Sequence, residues 1–307
     1  MRSGRDIETT NEIYRYRQRR VSSPHVSKGH VMKFTVLGSG STGNSVLIST
    51  EKTHVLVDAG LSAKEITRRL GEVGVDRGDI DAILVTHEHG DHIGGMRVLL
   101  QSVDCPVYVS KITEDAYYDT RAGGTNGDSE ASKRKAVLKD RAVEIKSDEE
   151  FRIGDIDFVP FSVPHDAVDN FGFVAKNGGV RVATLMDFGH ISDEIKAALC
   201  GCDAVIIESN HSRDMLRTCH MYTWDLKQRI MSNVGHLSNE SLADWLQTDF
   251  DGCARDIVLA HLSQRANEPH LARIMAETAL KMRPPLFRSE AKISLSSHRQ
   301  PTEWFVY

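Results

Sequence analysis

Three histidines and an aspartate fall within six residues in the run His87-Glu88-His89-Gly90-Asp91-His92. Neutral imidazoles and carboxylates are ligands for borderline divalent ions such as zinc, manganese or iron. Held together without an ion, several such groups repel one another whenever they charge. Spacing separates the cluster into two parts. His87 and His89 are two residues apart, so an extended strand end can aim both at one centre. Asp91 and His92 lie just beyond, where the chain has turned, and can face a second centre. A polar loop that is merely solvated would not need this pattern at a strand-to-helix junction.

The elements that must position these groups are readable from apolar runs. Residues 83–85 read as a buried strand feeding the cluster, and residues 93–102 as a helix with Val98, Leu99 and Leu100 as its apolar content. Three more runs behave the same way. Residues 156–163 end before His165, residues 180–186 before Asp187, and residues 256–260 before His261. Strand ends are rigid and can hold ligands to metal-binding geometry. Singly, His165 or His261 would more often be structural; the coincidence of all four with the first cluster argues for one site.

Further elements frame it. Residues 33–37 and 45–49 read as strands around Gly38-Ser39-Gly40-Ser41-Thr42-Gly43-Asn44. That loop lacks the phosphate-binding lysine and joins two strands, so it reads as a hairpin and a wall of the site, with Ser41 and Asn44 facing in. Residues 54–57 form a strand ending at Asp58, which reads as a partner of the metal loop's backbone. Ser62-Ala63-Lys64-Glu65 is a capping box for a helix that Gly71 can close. Residues 106–109 read as a strand and 112–118 as a helix, whereas the polar stretch 119–150 reads as a mobile surface excursion. A hairpin turns at Asn177-Gly178-Gly179. Residues 203–207 form a strand ending at Glu208-Ser209-Asn210-His211. Helices are expected at 192–199, 223–234, 239–247 and 268–282, the last capped by Asn267, with strand-like pieces at 291–296 and 303–307.

Composition sets outer bounds. The chain has 307 residues, 40% hydrophobic and 26% charged, as in ordinary globular proteins. Length permits one large α/β domain, expected over 33–307. Residues 1–32 carry seven basic and three acidic side chains, among them Arg15, Arg17, Arg19 and Arg20, and read as a disordered extension. No run approaches the ~18–20 apolar residues of a membrane span, and no apolar export signal is present, so a cytoplasmic protein is expected. Five cysteines without a Cys-x-x-Cys spacing read as reduced thiols, with Cys200-Gly-Cys202 as a helix end. The net charge of −5 argues against broad electrostatic binding of nucleic acid. Oligomeric state is not indicated.

The spread of His87, His89, Asp91, His92, His165, Asp187 and His261 resembles the metallo-β-lactamase superfamily over about residues 33–285. Within it the chain looks like the YycJ/WalJ subgroup of bacterial metal-dependent hydrolases, relatives of ribonuclease Z-like nucleases. The residues carrying that finer likeness are Gly38-Ser39-Gly40-Ser41-Thr42-Gly43-Asn44-Ser45, Glu208-Ser209-Asn210-His211, Asp225-Leu226-Lys227-Gln228-Arg229-Ile230, Gly235-His236-Leu237-Ser238-Asn239 and Ala260-His261-Leu262-Ser263. The resemblance implies an α/β fold, the αβ/βα four-layer sandwich, with two mixed sheets flanked by helices and the metals at one edge. It implies two divalent ions, zinc or manganese with iron possible: one on His87, His89 and His165, the other on Asp91, His92 and His261, with Asp187 between them. It also implies a DNA substrate and 5′–3′ exonuclease activity.

By that pattern Asp91 orients the attacking water, while His236 and His211 are candidates to contact the scissile phosphate or protonate the leaving oxygen. A turn-capping role is the competing reading of His236. The chain departs from the pattern in residues 1–32, in the long 119–150 segment, and in Thr218-Cys219-His220-Met221-Tyr222-Thr223, where a Gly/Pro-containing turn is expected. Two other functions compete. A small-molecule hydrolase (lactonase, thioesterase or β-lactamase type) can use the same metals, and the acidic net charge favours it. A non-enzymatic metal- or nucleic-acid-binding protein is disfavoured, because structural zinc sites close with four ligands and do not need two adjacent centres.

Overall fold

Strands that are apolar at every position, rather than at every second one, must be covered on both faces. That requirement organises the molecule. The computed structural model describes residues 31–119 and 127–307. Lys33–Gly38 (β1), Ser45–Ser49 (β2), His54–Val57 (β3), Ala82–Leu84 (β4), Val107–Val109 (β5) and Ala142–Glu144 (β6) build one sheet, and Phe305–Val306 (β14) adds its outer strand beside β1. The second sheet runs, in spatial order, from Lys292–Leu295 (β13) through Asp256–Ala260 (β12), Ala204–Glu208 (β11), Val180–Leu185 (β10), Phe171–Asn177 (β9) and Ile156–Ser162 (β8) to Phe151–Ile153 (β7).

One face of each sheet meets the other. Phe34, Val36, Val46, Ile48, Val55 and Val57 pack with Phe158, Phe173, Val182, Ile206 and Val258 in a single buried cluster. Alternate residues of the same strands point outward and are covered by helices. Leu47, Leu56 and Ile83 lie under Ala63–Glu72 (α1), Met96–Leu99 (α3) and Lys111–Tyr118 (α4), which contribute Ile66, Leu70, Leu99 and Tyr117. On the opposite side Val205, Ile207, Ile257 and Leu259 lie under Asp193–Leu199 (α6), Asn239–Thr248 (α9) and Pro269–Lys281 (α10), which supply Ile195, Leu242, Trp245, Leu246, Ala272 and Ala276. Burying one such aliphatic or aromatic side chain is worth about 1.5–3 kcal/mol. The result is the four-layer αβ/βα sandwich.

Both sheets are mixed. β1, β2 and β3 are antiparallel, then β3, β4, β5 and β6 parallel. β7 to β10 are antiparallel, then β10, β11, β12 and β13 parallel. Parallel neighbours deliver their carboxyl ends to the same edge, the place where open α/β sheets bind ligands.

Several expectations need correction. The 93–102 helix is two short ones, Gly90–Ile93 (α2) and α3, split at Gly94-Gly95. A side chain at Gly95 would stand 1.9 Å from the Leu61 carbonyl oxygen, so the backbone must pass too close for a continuous helix with a Cβ there. The 119–150 segment holds a helix, Gly127–Leu138 (α5), as well as β6, and Leu138 is fully buried. The rest of that expectation, at 120–126, falls outside the described residues, as does residues 1–30 of the supposed extension. Met32 is buried and exchanges backbone hydrogen bonds with Tyr307 at 3.2 and 2.9 Å. The expected 223–234 helix stops early, as Trp224–Ile230 (α8), after a short helix Arg213–Thr218 (α7). The cap of α10 is Glu268 rather than Asn267. Among the described residues, no helix is long and apolar enough to cross a membrane, and Cys105, Cys200, Cys202, Cys219 and Cys253 are free thiols.

Candidate metal centre

The ligand candidates converge at the carboxyl edge of both sheets. β4 delivers His87, His89, Asp91 and His92, with α2 carrying the last two; β8 delivers His165, β10 Asp187 and β12 His261. Two sets of ligand atoms result, each gathered within 4.8 Å: His87, His89 and His165, and Asp91, His92, Asp187 and His261. His87 and His92 have no exposed surface, and Asp187 and His261 are nearly as enclosed.

Four of the imidazoles, those of His87, His92, His165 and His261, are fixed through one nitrogen and offer the other. The His92 Nδ1 sits 2.7 Å from Asp58 Oδ2, and its Nε2 is 2.5 Å from Asp187 Oδ2. His261 places Nδ1 2.8 Å from Glu208 Oε1 and turns Nε2 toward Asp91 Oδ2 at 3.5 Å. His165 is held through Nδ1 by the carbonyls of Val234 and Gly235, 3.1 and 3.2 Å away, with Nε2 3.3 Å from His89 Nδ1. His87 is held through Nδ1 by Thr86 Oγ1 at 2.9 Å. Such partners set the tautomer and ring orientation of metal ligands.

Two buried nitrogens, His87 Nε2 and His261 Nε2, have no hydrogen-bond partner. A buried polar atom without a partner is costly, and both atoms point into the cluster. Divalent ions fit this donor set: they would satisfy those nitrogens, and they prefer the imidazole and carboxylate groups present.

The electrostatics divide the imidazoles into two pairs. Burial, reinforced by His92, pushes the His87 pKa well below the ordinary imidazole value, and burial also lowers His165, so both stay neutral as ligands must. Burial opposes charge on His92 and His261 as well. There the carboxylates win: Asp58 and Asp187 raise His92, and Asp187 with Asp91 and Glu208 raise His261, well above the usual range. Burial also works against ionisation of Asp187, but His261 and His92 hold it well below the usual carboxylate value.

The metal loop is locked from behind. The Thr86 amide and hydroxyl donate to Asp58 at 2.9 Å each, so Asp58 is both the expected backbone partner and a support for His92. Asn44 N and Ala59 N donate to the carbonyls of Asp91 and His92 at 2.7 and 2.8 Å. A Cβ on Gly60 would lie 1.6 Å from the Asp91 carbonyl oxygen, so only glycine lets the two loops approach. Asn44 also brings Nδ2 within 3.0 Å of His92 Nε2. Asp58, Asp187 and His261 all adopt positive φ, at 64°, 58° and 51°. Strain of this kind in non-glycine residues gathers at functional sites, where the surrounding packing holds it.

The cluster floors a cleft of about 210 Å³ lined by Ser41, His89, Asp91, His165, Asp187 and His236, among others. His236 stands with Nδ1 2.9 Å from Glu208 Oε1 and 3.1 Å from Asp187 Oδ1. His211 is not brought to the cleft. Its ring is buried, burial lowers its pKa to about 4, and Asn210 is the residue of that turn that lines the opening.

Sequence reasoning left Glu208 out of the ligand and catalytic set. It is fully buried, accepts from the amides of Phe188 and Leu237 at 3.0 and 3.1 Å, and holds both His236 and His261. Glu208, His236, Asp187 and His261 also gather closely enough to hold an ion. With both Glu208 oxygens engaged by protein donors, they read better as a support for the two imidazoles. The signal was present, since Glu208 ends β11 just as Asp187 follows β10 and His261 follows β12.

Comparison with known proteins agrees with this geometry. Residues 53–261 match the family described as a beta-lactamase superfamily domain. The chain belongs to the β-lactamase superfamily. It is 36% identical over 250 residues to the exodeoxyribonuclease YycJ of Bacillus anthracis, covering 81% of this chain and 89% of that one. It is 37% identical over 242 residues to the exodeoxyribonuclease WalJ of Streptococcus pneumoniae serotype 2 (strain D39), covering 79% and 86%. Among solved structures, the metallo-β-lactamase fold protein YhfI of Bacillus subtilis superimposes with a TM-score of 0.63 at 17% identity, over 90% of this chain and 99% of that one. That likeness establishes the fold. With its superfamily and its ligand sets, the chain is a metal-dependent hydrolase.

Proposed function

We propose that this superfamily member is a dinuclear-metal phosphodiesterase, an exodeoxyribonuclease that works 5′ to 3′ on DNA. The observation that carries the reading is the pair of adjacent ligand sets, with Asp187 in one and 3.7 Å from His87 Nε2 of the other, and His236 facing the same cleft on a buried Glu208. The similarity to two exodeoxyribonucleases over about four-fifths of the chain supports the substrate class.

His87, His89 and His165 would hold one ion, and Asp91, His92 and His261 the other, with Asp187 shared between them. Two divalent ions so placed would supply Lewis acidity for a phosphodiester and bring the pKa of water toward neutrality.

The chain's own groups do the rest. Asp91 is the one carboxylate of the cluster with appreciable exposure, 25% of its side chain, and accepts a hydrogen bond from the attacking water. Asn44 Nδ2, 3.4 Å from Asp91 Oδ2, keeps that carboxylate turned to the cleft. His236 is pushed up to about 9: burial opposes its charge, but Glu208 and Asp187 overcome it. It therefore carries a proton at neutral pH, with Nδ1 on the carboxylates and the other edge of the ring on the cleft. Transfer of that proton to the departing sugar oxygen makes it a neutral hydroxyl leaving group. His211 has no part in this scheme.

The decisive experiment uses linear duplex DNA labelled at either end, with chelated protein resupplied with manganese or zinc and Asp91→Ala as control. Metal-dependent release from the 5′ end, absent in the variant, is expected. Release from the 3′ end would reverse the polarity. Intact DNA under every metal condition, alongside turnover of lactone or nitrocefin, would replace the nuclease with the small-molecule hydrolase that the acidic net charge favours.

A further inference from the structure

The lining of the cleft that does not belong to the ligand candidates is made of different material. Tyr222, Arg229, Ile230, Leu262, Ser263 and Ala266 form this wall. Tyr222 is fixed rather than loose: its hydroxyl lies 3.4 Å from Ser263 Oγ, and the Arg265 guanidinium stands 6.0 Å from its ring centroid. The turn that carries it is tethered by buried Lys227, whose Nζ donates to the Arg217 carbonyl at 2.7 Å.

Several polar groups on this wall are engaged within the protein. Ser263 Oγ accepts from the amides of Arg265 and Ala266 at 3.3 and 3.1 Å. Arg229 pairs with Asp166, and Asn210 Nδ2 donates to the His261 carbonyl at 2.9 Å. Besides the Arg229 guanidinium, what the wall offers a ligand is an aromatic ring with aliphatic neighbours. Such a surface recognises a nucleobase by its face and cannot read its edge.

We propose that Tyr222 is a positioning residue for substrate binding, the stacking surface for the base of the terminal nucleotide, which it accepts without sequence preference. This rests on the nuclease reading above. Stacking on one aromatic is worth enough to change affinity by about tenfold, and it acts on binding rather than on the chemical step.

The test compares the manganese-loaded full chain with Tyr222→Ala, Tyr222→Phe and Trp224→Ala on single-stranded oligonucleotides. Each substrate ends either in an ordinary nucleotide or in an abasic one. Tyr222→Ala is expected to raise KM about tenfold on the ordinary end, with kcat held within about twofold, and to leave the abasic end unaffected. Tyr222→Phe, which keeps the ring, should behave as wild type. Trp224, 61% exposed at the start of α8 but outside the cleft, serves as a control for aromatic surface in general, and its loss should change little. An unchanged KM in Tyr222→Ala, an equal loss on abasic ends, or an equal effect from Trp224→Ala would each overturn the stacking role while leaving the nuclease intact. A wild-type protein that cleaves neither substrate removes the nuclease reading, and this inference with it.

Discussion

The two walls of the cleft are built on different principles. The ligand wall is made of strand ends: His87, Asp187 and His261 follow β4, β10 and β12, are buried, and have partners that set their orientation. The rest of the lining comes from loops and a helix end: Tyr222, Arg229 and Ile230 in and before α8, and Leu262, Ser263 and Ala266 in the loop after His261. Strained, buried polar groups persist only where the packing over-determines them, and the sandwich provides that at its edge. A substrate surface needs shape and exposure instead. The comparison teaches that, if the proposed roles hold, chemistry and selection can be tested apart, because Tyr222 and Arg229 sit outside the strand ends that carry the ligands.

The largest expected effect comes from the group at the centre of the ligand wall. Asp187→Ala should lower DNA turnover by on the order of 10³-fold or more and reduce bound divalent metal, measured by elemental analysis. The carboxylate touches His92, His236 and His261, so its loss strips a charge partner from all three at once. Retained turnover with full metal content would break the claim that this wall is the reaction centre.

His236 belongs to the seam between the walls, and its variant should behave differently. His236→Ala is expected to cut turnover by about 10²- to 10⁴-fold with metal content unchanged. If activity survives, the proton-donor assignment falls; if metal is lost as well, His236 belongs with the ligands.

The histidine-rich run and the strand ends made most of the ligand wall legible in the sequence, because β strands buried on both faces show up as continuous apolar runs. The supports were harder to see. Asp58 and Glu208 sit at strand ends by the same rule as Asp187, yet a carboxylate without a neighbouring histidine carries no metal signature, and only the fold shows that it faces a ligand's second nitrogen. The rest of the lining was less legible still. Apolar spacing over 223–234 suggested one helix, but the chain breaks after Ile230 because His236 N folds back to donate to the Ile230 carbonyl at 2.9 Å. Gly235 permits that return, since a Cβ there would lie 2.2 Å from the Arg229 carbonyl oxygen. The helix over 127–138 has no amphipathic stripe to announce it; what fixes it is Leu138 in the core and Arg134 Nη1 on the Tyr117 carbonyl at 3.1 Å. His211 resembled a site residue through its neighbours in the sequence, while the β11 turn directs Asn210 to the cleft instead.

A subtler change tests whether the supports matter as the geometry requires. Asp58→Asn is nearly isosteric, and asparagine tolerates the positive φ of 64° at this position. Its amide oxygen can still accept from Thr86, but its NH₂ would then meet His92 Nδ1 as a donor. Nδ1 must become the acceptor, which moves the ring proton to Nε2, the atom that faces Asp187 and the ligand cluster. Metal affinity should fall about 10- to 100-fold, read by competition with a chelating dye, and excess manganese should restore turnover. Unchanged affinity would mean that the His92 tautomer is set elsewhere.

The smallest expected effect lies in the rest of the lining, in the Arg229–Asp166 pair that ties α8 to the loop carrying His165. Arg229 is 58% exposed and Asp166 22%, so solvent screens their attraction, and the pair contributes below about 1 kcal/mol to stability. Arg229→Ala should therefore leave the thermal midpoint nearly unchanged. It also removes a cation from the lining of a cleft for which a polyanionic substrate is proposed, so KM for DNA should rise about two- to threefold at low salt. The difference from wild type should close as added salt shortens the screening length below about 8 Å. A loss that persists at high salt would show that Arg229 works by shaping the wall rather than by its charge, and the separation between a rigid chemical wall and an adaptable substrate wall would need redrawing at that residue.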